Sequence, residues 1–158
     1  MEPKRQVKRS ILSPEQLGEC CWALANNYVA AATQLTSKGG PKHLAPSIFL
    51  LLHGLELHLK AYLFSQGMTE KQLRKTGHDL TSLLRSCNEC GFTSHIELSW
   101  PQLMQVARAN VHYRKKEFEY FVPLAKRYGN VTQLLKTVQQ VGKGVGIPVT
   151  ANSFRKLS

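Results

Sequence analysis

The chain has 158 residues, of which 42% are hydrophobic, and its 21 basic against 10 acidic residues give a formal charge of +11. This is the length of one domain with a substantial core, and the hydrophobic content excludes a wholly disordered chain. The positive charge favours an anionic partner such as RNA, DNA or an acidic protein. Much of it lies near the two ends, where a solvated basic tail is an equally good interpretation.

The start of the chain does not have the pattern of a signal peptide. Its basic residues are followed by the polar run SILSPEQLGE at positions 10–19, not by an apolar segment. The apolar run 48–64 is short and is interrupted by His53, Glu56, His58 and Lys60, so it does not predict a membrane span. We therefore expect a cytoplasmic protein that does not enter a membrane.

Four cysteines then belong in a reducing compartment, where disulfides are rare. Cys87 and Cys90 have the CxxC spacing of half a zinc site, but the other two, Cys20 and Cys21, are adjacent and make a poor tetrahedral knuckle. The pattern favours buried structural thiols. We expect no metal and no cofactor.

The chain reads as helix from Ser13 onward. Ser13, Pro14 and Gln16 form a helix start with a capping box, and apolar residues then recur at helical spacing to about Ser37. A central helix is predicted for 46–66, where apolar residues cover nearly the whole circumference, as in a helix packed on several sides.

Shorter helices follow the central one. Thr69 is placed to cap a short basic turn, the chain reverses at Gly77, and Asp79 is placed to cap a helix that ends at Gly91. Ser99-Trp100-Pro101 opens a further helix, predicted to continue to Tyr120 with a break near Asn110.

Asn130 is predicted to cap a last helix that ends at about Val141. The glycine-containing run 142–158 is predicted to be a flexible basic tail, and 1–12 a basic N-terminal arm. The fold class that follows is all-α: a single up-and-down bundle of four to six helices formed by residues 13–141.

Three short motifs occur in order along this bundle: LELHLKAYL at 55–63, KTGHDL at 75–80 followed by Leu83-Leu84, and KEFEYF at 116–121. Their order and spacing resemble the HEPN family of prokaryotic helical domains. The resemblance implies a helical bundle that forms a homodimer. In active members of the family it implies RNA cleavage without a metal.

Active HEPN members carry an Arg separated from a His by four to six residues, whereas three residues separate Arg108 from His112 here. On a continuous helix this pair still shares one face, so Arg108 can hold a phosphate while His112 moves a proton. Arg108 and His112 are therefore the candidate catalytic residues.

Two further groups of residues are candidates for a role. Glu56 and Lys60 are charges in an apolar helix, and burial requires partners, so we predict a structural polar network that links them with His78 and Asp79. The cations of the segment Tyr113-Arg114-Lys115-Lys116, together with its aromatic ring, suit RNA phosphates and bases. A solvated charged face is the alternative interpretation of this segment.

The favoured function is that of an RNA- or nucleotide-binding accessory module without a clear catalytic motif. One alternative is a metal-independent endoribonuclease of the toxin or antiphage type that uses Arg108 and His112. A second alternative is a protein-interaction subunit whose basic surface binds an acidic partner.

Overall fold

The computed structural model of the protein describes residues 12–118 and 129–155, with side chains up to residue 151. Within these residues it contains six α-helices, one 3-10 turn and no strand, which confirms the predicted all-α bundle. The helices are α1 (Pro14–Lys38), α2 (Pro41–Ser65), α3 (Glu70–Arg74), α4 (Leu80–Glu89), α5 (Trp100–Tyr113) and α6 (Val131–Arg155), and the 3-10 turn is Phe92–Ser94. Of the predicted arm 1–12, only Leu12 lies among the described residues.

Helices α1 and α2 form a long hairpin. Ser13 begins α1 with the predicted capping box, in which its backbone N–H donates to Oε1 of Gln16 at 2.9 Å. The chain reverses at Gly39 and Gly40, whose φ angles of 63° and 85° lie in the left-handed region that glycine adopts without strain. The hairpin therefore brings two 25-residue helices side by side.

Helix α2 is the core of the bundle. Thirteen of its residues are buried, and it packs against α1, α4, α5 and α6. It begins at Pro41 and not at the predicted Pro46, because Pro41 fits the first turn of a helix and Pro46 is accommodated inside it. By length and composition α2 could cross a membrane, but 72% of its most apolar window is buried in the bundle, as in the core helix of a water-soluble protein. The cytoplasmic localisation stays a prediction.

The two short helices begin where the sequence predicts. The backbone N–H of Thr69 donates to Oε1 of Gln72 at 2.8 Å at the start of α3. Oδ1 of Asp79 accepts hydrogen bonds from the N–H groups of Thr81 and Ser82 at 3.0 and 3.3 Å at the start of α4. Side-chain caps of this kind satisfy backbone donors that have no partner within the helix.

Helix α5 ends at Tyr113, so the predicted continuation to Tyr120 is wrong over 114–118, which form turns. Residues 119 and 120 lie outside the described part of the chain. Lys116 has a φ of 58°, a left-handed conformation that cannot continue a helix. The predicted break near Asn110 is also wrong, because Asn110 is buried inside α5 and its Oδ1 accepts the backbone N–H of Leu80 at 3.0 Å.

Helix α6 continues to Arg155, through the described part of the segment predicted as a tail, so its predicted end near Val141 is wrong. Val145 in this segment is fully buried in the core. The glycines that suggested a tail allow close packing instead, since a Cβ atom at Gly144 would overlap with Cγ1 of Ile96. Buried apolar contacts thus outweigh the weak helix propensity of glycine.

Candidate functional site

Helix α5 carries Arg108 and His112 on one side. Arg108 is exposed, and the His112 side chain is 31% exposed. The two lie four residues apart and share a helical face. The core side of the helix is formed by a different set of residues, namely Val106, Ala109, Asn110 and Tyr113.

A cleft of about 580 Å³ opens beside this pair, and both side chains line it. The indole of Trp100 forms part of the wall and is 72% exposed. Three carboxamides complete the polar lining: Gln105, Asn130 and Gln133. The cleft therefore combines an exposed aromatic ring, a guanidinium, an imidazole and several groups that can both donate and accept hydrogen bonds.

His112 is held by a carboxylate. Its Nδ1 lies 2.6 Å from Oε2 of Glu117, in the turn that follows α5. A carboxylate on one ring nitrogen orients the imidazole, which is one role of the third member of a catalytic triad. This contact was not predicted. The sequence predicted that the helix continues past Tyr113, whereas the chain turns there and brings Glu117 back toward α5.

Glu56 lies at the centre of the predicted polar network and is 1% exposed. Its carboxylate accepts a hydrogen bond from Nζ of Lys60 at 2.5 Å and one from the hydroxyl of Tyr113 at 2.6 Å. Nδ1 of His78 lies 3.0 Å from Oε2. The Tyr113 hydroxyl in turn lies 3.0 Å from Nδ1 of His53. The structure thus brings Glu56, Lys60 and His78 together and adds two residues that the sequence did not place in the network.

The protonation of Glu56 follows from these contacts. Burial by itself would raise the pKa of this carboxyl, but the hydrogen bonds from Lys60, Tyr113 and His78 outweigh that effect and lower the pKa. Glu56 is therefore ionised at neutral pH. The network joins three parts of the chain: α2, α5 and the segment that precedes α4. Its evident role is to fix these parts relative to one another.

Asp79 belongs to a neighbouring cluster and has no contact with Glu56 among those described. Besides capping α4, its Oδ1 accepts a hydrogen bond from Nδ2 of Asn110 at 2.9 Å. Burial would raise the pKa of Asp79, but the hydrogen bonds from Asn110 and from the backbone of α4 hold it below the ordinary value. Nη1 of Arg114 lies 3.7 Å from the other carboxylate oxygen.

The predicted RNA-binding segment divides into two parts. Arg114, Lys115 and Lys116 are exposed, as phosphate-binding side chains must be. Tyr113 is only 5% exposed, and its hydroxyl is bonded to Glu56. The prediction that Tyr113 contacts RNA bases is therefore corrected: this ring is part of the core.

The cysteines are less uniform than predicted. Cys87 is fully buried, its thiol lies 3.6 Å from the carbonyl oxygen of Leu59, and burial raises its pKa. Cys21 and Cys90 are half-buried, and Cys20 is exposed. The prediction of buried structural thiols holds for Cys87 and is wrong for Cys20, which lies on the outer side of α1.

Trp100 is the main site residue that sequence reasoning did not select. It was assigned only to the start of α5, because Ser99-Trp100-Pro101 matches a helix start. One signal could have placed Trp100 in the site. It is a large aromatic ring in the first turn of a helix that carries an Arg and a His further along.

No family model matches this chain, and no curated protein or solved structure shows significant similarity to it. The resemblance to HEPN domains stays a prediction that rests on three motifs and their order. A function accordingly has to be inferred from the chemistry of the cleft and of the residues around it.

Proposed function

We propose that this protein is an RNA- or nucleotide-binding module and that its cleft binds single-stranded RNA. The observation that carries the proposal is the Trp100 indole, 72% exposed on a cleft that also holds Arg108. Burying large aromatic rings is strongly favourable, so one left so exposed beside a cation suggests a surface for a planar ligand.

Each lining group has a counterpart in a nucleotide. A base stacks on the indole of Trp100, an interaction worth about 1–3 kcal/mol per base in single-strand binding. The guanidinium of Arg108 binds the phosphate with paired N–H donors. The carboxamides of Gln105, Asn130 and Gln133 supply donors and acceptors for the edge of an unpaired base.

The charge of the whole chain supports the same proposal. A formal charge of +11 attracts polyanions from solution and accelerates their association. Arg114, Lys115 and Lys116 add an exposed basic segment at the C-terminal end of α5. The HEPN relationship and the homodimer are part of this proposal. A homodimer would double the length of RNA that can be bound, because each subunit would supply one cleft.

The test is the affinity for a fluorescein-labelled single-stranded RNA, measured by anisotropy for Trp100→Ala and Arg108→Ala. We expect each variant to bind about 5–150-fold more weakly, the range given by losing about 1–3 kcal/mol. Leu24→Ala is the matched control, because Leu24 is also an exposed apolar side chain, at 46%, but lies on α1. Unchanged affinity in both cleft variants would refute the proposal.

A second candidate is favoured by one observation, the 2.6 Å contact between Nδ1 of His112 and Oε2 of Glu117. It makes the protein a metal-independent endoribonuclease of the toxin or antiphage type. His112 would take the proton of a 2′-hydroxyl, whose oxygen attacks the adjacent phosphorus to form a 2′,3′-cyclic phosphate. The bond from phosphorus to the 5′-oxygen breaks, and the leaving 5′-oxygen takes a proton from water. Arg108 would stabilise the negative charge that develops on the phosphate oxygens.

This candidate predicts RNA cleavage in the presence of EDTA. Cleavage should stop in His112→Ala, fall about 100-fold or more in Arg108→Ala, and fail on RNA with 2′-deoxy positions. Glu117→Gln should retain binding and lower the rate, because it keeps the shape of the side chain without its charge. Tight RNA binding with no cleavage above that of His112→Ala leaves the binding module as the function.

A further inference from the structure

A second cavity, of about 560 Å³, lies in the groove between α4 and α5 and is called the α4–α5 recess below. It shares Trp100 and Met104 with the cleft, so the exposed indole borders both cavities. Consecutive nucleotides of a single strand lie close together. A strand that occupies the cleft and continues past Trp100 therefore brings its next base to the α4–α5 recess.

The recess offers an apolar surface to the face of that base. Leu84 and Val106 are buried in its floor, and the side chains of Leu103 and Met104 beside them are partly exposed. Its volume lies within the range for small-molecule sites in proteins. A planar base packs on these side chains and leaves its polar edge directed toward the rim.

Two opposite charges line the recess without pairing. Arg85 and Glu89 are both exposed and lie four residues apart on α4. No ion pair joins them within the described residues, whereas Glu70 and Arg74, which have the same spacing, lie 2.6 Å apart. A helical pair with the basic residue first is the less favourable order. The guanidinium of Arg85 and the carboxylate of Glu89 are therefore both available to a ligand in the recess.

Guanine is the RNA base whose edges match these two groups. Its O6 and N7 are adjacent acceptors, which a guanidinium binds with two N–H donors. Its N1–H and N2–H groups are adjacent donors, which suit the two oxygens of a carboxylate. None of the other three RNA bases offers adjacent donors on two nitrogens.

We propose that the α4–α5 recess binds a guanine base next to the base that stacks on Trp100, and so gives the protein a preference for guanine-containing RNA. Leu103 and Met104 contact the face of the guanine. Arg85 donates to O6 and N7, and Glu89 accepts from N1–H and N2–H. The role of the recess rests on the function proposed above, because the strand is held by the cleft.

The position of Glu89 supports this assignment. A carboxylate repels backbone phosphates, and none of the described residues that line the cleft itself is acidic. The recess adjoins the cleft and yet carries a carboxylate. An acidic side chain beside an RNA-binding cleft is favourable where it accepts hydrogen bonds from a base edge.

The experiment compares three fluorescein-labelled RNA strands of equal length by anisotropy. Uridine alternates in them with guanosine, with adenosine or with inosine, which is guanosine without the N2 amino group. We expect the guanosine strand to bind about tenfold more tightly than the adenosine strand, as for one bidentate base contact. The inosine strand should lie between them, because it keeps O6, N7 and N1–H.

Glu89→Ala should bring the affinities of the guanosine and adenosine strands to within about twofold of each other. The ratio is the readout, since removing a negative charge strengthens the binding of every strand alike. Glu97→Ala is the control, because Glu97 is also exposed but lines neither cavity, and it should keep the tenfold ratio.

Two kinds of failure can be told apart. Strands that all lose affinity in Trp100→Ala but bind the unaltered protein equally, or a guanine preference that survives Glu89→Ala, would overturn the guanine site and leave the RNA-binding cleft in place. If no strand binds, or if Trp100→Ala changes the affinity of none, the function proposed for the cleft fails and the guanine site fails with it.

Discussion

Glu56 is a buried carboxylate that is stable only because three side chains satisfy it. Three positions of the network were predicted from the sequence. Glu56 and Lys60 follow from their spacing, since charges four residues apart in an apolar helix need each other and share a face, and His78 was predicted to join them. Tyr113 could not be assigned in this way. Tyr113 lies on another helix, α5, and three basic residues follow it in the sequence. An aromatic ring next to basic residues is typical of a residue that stacks on RNA bases.

Replacing Glu56 by Gln should lower the free energy of unfolding by about 2–4 kcal/mol, because Lys60 loses its anion and the network is left incomplete. Urea denaturation followed by circular dichroism measures the change. Glu70→Gln is the control: the pair of Glu70 with Arg74 is also spaced i,i+4, but both side chains are more than half exposed, and the expected loss is below about 1 kcal/mol. Equal losses in the two variants would show that burial of the Glu56 network contributes no stability.

His58 predicts a dependence of stability on pH. Burial lowers its pKa to about 4 in the folded protein, against 6.5 as the ordinary value, so the unfolded chain takes up a proton that the folded chain does not. Stability should be level above pH 6.5 and fall by as much as roughly 3 kcal/mol as the pH decreases from 6.5 to 4. His58→Gln should remove most of this slope in urea denaturation series. An identical slope in the variant would contradict the assignment.

At the scale of elements, helix starts were easier to predict than helix ends. Ser13, Thr69, Asp79 and Ser99 begin helices in the structure as the sequence indicated, because a side-chain cap is a local interaction. The end of α6 depends instead on tertiary packing. Its glycines predict a tail when only propensity is considered, and in the folded chain they pack against α1, α2 and the segment after α4.

Gly144→Ala tests this explanation of α6, because the two effects have opposite signs. In an exposed helix the change would stabilise by about 1 kcal/mol. Here the new Cβ would overlap with Ile96, so we expect a net loss of about 1–3 kcal/mol in the free energy of unfolding. Lys143→Ala, at the exposed neighbouring position, should change the value by less than about 0.5 kcal/mol. A more stable Gly144→Ala protein would mean that α6 does not pack as described.

At the scale of the whole molecule, the helical periodicity of the sequence predicted the all-α fold class. The net charge predicted an anionic partner, and the motifs selected Arg108 and His112 as candidate site residues. The sequence could not place Asn130 and Gln133 beside them, since these two residues meet α5 only when α6 packs next to it. The homodimer and the alternative of an acidic protein partner stay predictions. Both concern surfaces that face outward and leave no mark on the packing of one chain.

The basic charge predicts that RNA binding weakens with salt. For a single strand the logarithm of the affinity falls with the logarithm of the salt concentration, by about 0.7 for each phosphate neutralised. Replacing Arg114, Lys115 and Lys116 together by Ala should lower this slope by up to about 2 in anisotropy titrations. A slope equal to that of the unaltered protein would exclude this segment from the RNA-binding surface.

The fluorescence of Trp100 tests the binding of RNA in the cleft most directly. Trp22→Phe leaves Trp100 as the single tryptophan, and a base that stacks on the indole quenches it. We predict that single-stranded RNA quenches this fluorescence to saturation at the same concentrations at which anisotropy reports binding. Binding by anisotropy with no change in Trp100 fluorescence would place the RNA elsewhere and contradict the account.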